Sequence, residues 1–141
     1  MFRSIAAATL VLATLSAARA QDERFVGSWR GVVNLNGYPI TINLILQADR
    51  QFTEQEISSA AMTMQTGTWV VTGDVLTLNV EDWQPRTQAV YHPTGTVGGY
   101  YTQEPAAKPP GGTYQCRFLS PDAFTMLDVN THGEMRFDRL P

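Results

Sequence analysis

Trp69-Val70-Val71-Thr72-Gly73-Asp74-Val75-Leu76-Thr77-Leu78-Asn79-Val80 decides the fold. Two runs of alternating residues flank Gly73-Asp74, a two-residue connection whose backbone matches the twist of paired strands. Trp69 and Val71 share one face, as do Leu76, Leu78 and Val80, while Val70, Thr77 and Asn79 take the other. Working outward, Ile40, Ile42, Leu44 and Leu46 fall on one side of a strand with Thr41 and Asn43 opposite, the signature of a half-buried antiparallel strand. Asn36-Gly37 before it is a hairpin turn, and Asp49-Arg50, Ser120-Pro121-Asp122 and Thr131-His132-Gly133 supply further turn chemistry. No window of eleven residues keeps helical spacing. The reading is all-β, with eight strands at 25–34, 38–48, 51–58, 62–72, 75–81, 112–118, 123–129 and 134–139. Sequential hairpins of this kind close into a small antiparallel up-and-down barrel, because closure removes the exposed edges. Eight strands enclose either a core filled by side chains or one small ligand, and the large apolar inward faces are compatible with both.

The first twenty residues carry Arg3, an apolar run from Ile5 to Leu15 and a small-x-small Ala18-Arg19-Ala20, which together predict a signal peptide over 1–20 and a single domain over 21–141. The expected location is periplasmic or secreted. No stretch reaches the roughly 20 apolar residues of a membrane helix, so no stable membrane insertion is expected. Cleavage would remove Arg3 and Arg19 and take the net charge from −3 to −5, which disfavours nucleic acid as a partner. Cys116 is the only cysteine, excludes an intrachain disulfide, and is read as buried within Tyr114-Gln115-Cys116-Arg117-Phe118. A monomer is expected.

At the start of the mature chain stands Phe25-Val26-Gly27-Ser28-Trp29-Arg30-Gly31, and a second Gly-x-Trp follows at Gly67-Thr68-Trp69. The first stretch resembles the opening strand of the calycin superfamily, which includes lipocalins and fatty-acid-binding proteins. The run from Phe52 through Gly67-Thr68-Trp69 to Leu78 is similar to small exported bacterial lipocalin-like domains. The resemblance implies that Trp29, introduced by Gly27, plugs the closed end of the barrel beneath an arginine from a late strand, either Arg136 or Arg139. The chain departs from the better-known branches. Only Leu35-Asn36-Gly37 separates the first two strands, leaving no helical lid; the Thr-Asp-Tyr motif is missing, and so is a C-terminal helix. Ligand residues of those branches therefore do not transfer.

The segment 82–111 reads as a long irregular loop, an uncommon length in so small a domain unless it is functional or disordered. Its aromatic and polar side chains Trp83, Arg86, Tyr91, His92, Tyr100 and Tyr101 are the candidate ligand contacts at the barrel mouth, since rings with polar tips suit partner surfaces and cavity rims. A solvated loop and a protein-binding loop are the alternatives. Neither His92 nor His132 has metal-ligand spacing, and no nucleophile or phosphate-loop motif occurs, so no metal, cofactor or enzymatic activity is expected. Glu54 and Glu56 share a strand face as paired catalytic carboxylates would, but alternation assigns them to a solvated face. Arg30, Arg117, Arg136 and Arg139 either gather at one barrel end as a carboxylate-binding group or form separate ion pairs. The functional expectation is a barrel binding a small apolar or amphipathic molecule. The alternative is a filled barrel that engages a protein, as an interaction or inhibitor module, through segment 82–111.

Overall fold

The computed structural model describes residues 22–141, so the signal-peptide expectation for 1–20 lies outside the described residues. The chain enters through one hydrogen-bonded turn, Phe25 N–H donating to Asp22 O at 3.1 Å. Ten strands follow: β1 Gly27–Leu35, β2 Tyr38–Leu46, β3 Gln51–Ile57, β4 Met62–Thr72, β5 Val75–Gln84, β6 Thr87–Pro93, β7 Gly99–Pro105, β8 Gly112–Ser120, β9 Ala123–Asp128 and β10 Glu134–Arg139. Eight of them close an antiparallel barrel in the order β1-β10-β9-β8-β5-β4-β3-β2, each paired with its chain neighbour once β6 and β7 are set aside. The up-and-down eight-stranded barrel expected from the alternation is the architecture observed.

Segment 82–111 is not the irregular loop that the sequence suggested. Strand β5 runs on to Gln84, and β6 and β7 form a separate two-stranded ribbon with Thr87 opposite Pro105 and Pro93 opposite Gly99. Hydrophobic alternation marks a strand only when one face is buried, and most of this ribbon is exposed. Its prolines stand at strand ends, where a missing N–H does not break the ladder.

The turns 47–50, 73–74 and 121–122 gather at one end of the barrel, and 36–37, 58–61 and 129–133 at the other. The first end is packed solid. Trp29 and Phe124 are fully buried there, with ring centroids 4.6 Å apart at 82°, and Phe25 and Phe118 add edge-on contacts. Both Gly-x-Trp tryptophans take the same part. Trp29 Nε1 donates to Phe25 O at 2.8 Å beneath the Arg139 guanidinium, 4.1 Å from the ring; Trp69 Nε1 donates to Gln47 O at 3.0 Å beneath Arg50, at 4.5 Å. Each indole thus buries its area, satisfies its N–H and gains a cation over its face.

Of the two arginines named for the plug, Arg139 takes the position. Its guanidinium also donates to the carbonyls of Val26, Arg24 and Pro121. Arg136 does not, because alternation along β10 turns it outward, where it pairs with Asp138 at 2.7 Å. Gly27 is required here: its φ is +145°, and a Cβ would lie 2.3 Å from Arg139 Nη1. Cys116 is free and buried against this core, which pushes its thiol up to about 12.

Candidate ligand-binding cavity

At the opposite end the wall turns polar. Phe52, Glu54 and Glu56 alternate up the inner face of β3, so the step from Phe52 (1% exposed) to Glu54 (8%) passes from the apolar core to a buried carboxyl. Pairing across the turn 58–61 sets Glu54 opposite Gln65 and Glu56 opposite Thr63 on β4. The inward placement corrects the expectation of a solvated face for Glu54, which is buried, while Glu56 is exposed at the rim. In Phe52-Thr53-Glu54-Gln55-Glu56-Ile57 the two apolar residues lie on opposite phases, so the strand alone does not declare its inner side. Pairing of Phe52 with Gly67 and Leu46 settles it.

A bulge positions the third wall. Gly67 pairs with Val80 and Thr66 with Asp82, so Glu81 is the extra residue and the inward phase of β5 switches from even to odd. Trp83 is thereby aimed at the mouth, as bulges commonly re-aim side chains. Gly67 permits this approach, since a Cβ there would lie 1.9 Å from Asn79 O. Strand β5 pairs with β8 only from Val75 to Leu78, and the returning segment 106–111 crosses above that short seam.

These elements enclose an open cavity of about 520 Å³, lined by Glu54, Glu56, Thr63, Met64, Gln65, Trp83, Gln84 and Tyr114 from the barrel strands, by Gln88 from the ribbon, and by Pro85, Ala106, Ala107, Pro109, Pro110 and Gly111 around the covering segment. Burial pushes Glu54 up to about 7; the hydrogen bond donated by Gln65 Nε2 to its Oε1 opposes the rise, and the nearby Glu56 charge adds to it. Tyr114 is pushed up to about 12, first by burial and then by the carboxylates of Glu54, Asp128 and Glu56. Gln65 Oε1 and Trp83 Nε1 are buried without a hydrogen-bond partner in the protein. Buried polar atoms of this kind are few in native proteins and each calls for an explanation.

Of the residues chosen from sequence, Trp83 lines the cavity and Arg86 braces it, with its guanidinium 3.8 Å from the Trp83 ring and ion-paired to Asp82. Tyr91, His92, Tyr100 and Tyr101 lie instead on the ribbon. There Tyr91 packs against its cross-strand partner Tyr101 at 5.1 Å, and His92 stacks on Tyr100 at 5.1 Å. His92 Nε2 also hydrogen-bonds Thr102 Oγ1 at 2.8 Å and Glu104 Oε1 at 3.0 Å. Of the arginines considered as a carboxylate-binding group, Arg30, Arg136 and Arg139 line one open surface depression, yet each has its own partner: Arg30 donates to Asn43, Arg136 pairs with Asp138, and Arg139 pairs with Asp122; Arg117 is exposed on β8 outside it. Glu54, Glu56 and Gln65 are the cavity residues that sequence reasoning missed. The signal that could have found them is register: a four-residue turn between 57 and 62 places Glu54 beside Gln65 two steps from the inward Trp69 face. Among the described residues no group of three His, Cys, Asp or Glu side chains could hold a metal ion. No protein-family model matches the chain, and no curated protein matches it.

Proposed function

We propose that this chain is an exported lipocalin-like protein, acting in the periplasm or outside the cell as a monomer, that binds one small amphipathic molecule in the mouth of its barrel. The observation that carries the reading is the cavity of about 520 Å³ above an aromatic plug. Its size falls among small-molecule sites, roughly 300–1,000 Å³, which are mainly apolar with a few placed polar groups. Pro109, Pro110, Met64 and the Trp83 ring offer the apolar walls; Glu54, Gln65 and Tyr114 offer the polar ones. The calycin resemblance of Gly27-Ser28-Trp29 agrees with this division between a plugged end and a binding end.

Titration with Nile red, a neutral apolar fluorophore, tests the reading. Saturable one-site binding is expected, weakened at least about tenfold by Thr63→Phe, which fills the rim of the cavity. Absence of saturable binding by the native protein would overturn it. A second reading, a protein-interaction element, has its own observation in the ribbon, where Tyr91 and Tyr101 share a face and are 48% and 71% exposed. Replacing 90–102 by a two-residue turn separates the two, because it removes Tyr91 and Tyr101 but keeps Arg86 and Gln88, and the carrier reading then requires that Nile red binding survive.

A further inference from the structure

We infer that the cavity selects a ligand whose polar end is a protonated primary or secondary amine carried on an apolar body. This rests on the carrier reading above and adds the class of ligand. The wall holds two carboxyl groups, Glu54 and Glu56, and no Lys, Arg or His. Arg86 and Lys108, each next in sequence to lining residues, lie outside the lining, and Arg86 is committed to Asp82 and to the Trp83 ring.

Glu54 is the decisive group. It is 8% exposed, its Oε1 accepts from Gln65 Nε2, and its Oε2 accepts no hydrogen bond from any described residue. The same Gln65 has its Oε1 unpartnered. A carboxylate oxygen without a donor and a buried amide oxygen without a donor, on two side chains hydrogen-bonded to each other, call for a group with several N–H bonds. An ammonium has three donors and no acceptor, which suits these two acceptors and the Glu56 carboxylate at the rim, whereas the unpartnered Trp83 Nε1 donor is not met by it. Charge-assisted bonds of this kind are the stronger ones.

The alternatives fit less well. A carboxylate head would bring a third negative charge beside two existing ones and would leave both acceptors without donors. An alcohol supplies one donor for several acceptors. A quaternary ammonium carries the charge but no N–H. The Trp83 ring supplies an aromatic face to a cation entering from the mouth.

The test is displacement of Nile red from the mature protein at about pH 8, where the Glu54 carboxyl is mostly ionised, by octylamine, octyltrimethylammonium, octan-1-ol and octanoate. Octylamine is expected to compete at least about tenfold more tightly than the other three, and Glu54→Gln to lower its affinity about tenfold, bringing it near that of octan-1-ol. An unchanged near-ultraviolet circular dichroism spectrum certifies that the variant is folded. Octanoate binding as tightly as octylamine would overturn the inference, as would an octylamine affinity indifferent to Glu54→Gln. Nile red binding that none of the four compounds displaces would overturn the inference and leave the carrier reading standing. Failure of Nile red itself to bind would overturn both.

Discussion

Replacing Glu54 by Gln should make the protein more stable at neutral and alkaline pH, although the substitution removes a group from the interior. The carboxyl is 8% exposed, so solvent screens it little, and its protonation midpoint stands at about 7 against an ordinary 4.5. Because the folded value is the higher one, the folded protein holds the proton more tightly than the unfolded chain between about pH 4.5 and 7. Stability from this group is therefore full below the ordinary value and declines as pH rises through that window, levelling off above about 7. Each pH unit of difference is worth about 1.4 kcal/mol, so the accumulated loss is about 3 kcal/mol. Glutamine matches the shape, can accept from Gln65 Nε2 and cannot ionise, so the variant should lack this decline. Urea unfolding of both proteins at half-unit intervals from about pH 4 to 8 reads the difference directly as a change in midpoint at constant slope. The two stability curves should nearly coincide at the acid end and diverge by about 3 kcal/mol at the other. Parallel curves across the whole window would refute the placement of an ionisable carboxyl in a poorly hydrated wall.

Gly67→Ala should destabilise the protein by about 3 kcal/mol and red-shift tryptophan emission, because the added methyl meets Asn79 O at the bulge that aims Trp83; thermal unfolding and fluorescence report both. Arg139→Ala should cost about 2 kcal/mol, through three carbonyl hydrogen bonds and the cation over Trp29, whereas Arg136→Ala should cost under about 0.5 kcal/mol by the same unfolding assay. Cys116 should resist thiol reagents in the native protein at about pH 8 and react fully in denaturant, since burial holds the thiol protonated; rapid native labelling would contradict its burial. Replacing residues 90–102 by a two-residue turn should leave the barrel's unfolding free energy within about 1 kcal/mol, because the ribbon pairs with no barrel strand; urea unfolding reads it.

The barrel was legible because its strands bury one face. Ile40 to Leu46 and Leu76 to Val80 alternate without a break, and the two-residue turn at Gly73-Asp74 left one way to join them. The ribbon was not legible for the converse reason: with little burial on either side, Thr87 to Pro93 and Gly99 to Pro105 carry no hydrophobic period to read. The cavity fell between these cases. Trp83 was visible as an aromatic at the end of β5, but its direction depends on one extra residue at Glu81, and a bulge leaves no mark in the strand that contains it. Glu54 was assigned outward because alternation alone also puts Glu54 and Glu56 together on any solvated face. Here the partner, Gln65, comes from the next strand and is found only through register.

Occupancy of the barrel mouth by a small molecule can be read by native mass spectrometry of the protein isolated gently from its own cells. A non-covalent organic adduct of one molecule per chain is expected, displaced by octylamine and absent from Thr63→Phe. Repeated recovery of the bare protein mass, with no adduct formed on adding octylamine or Nile red, would contradict it.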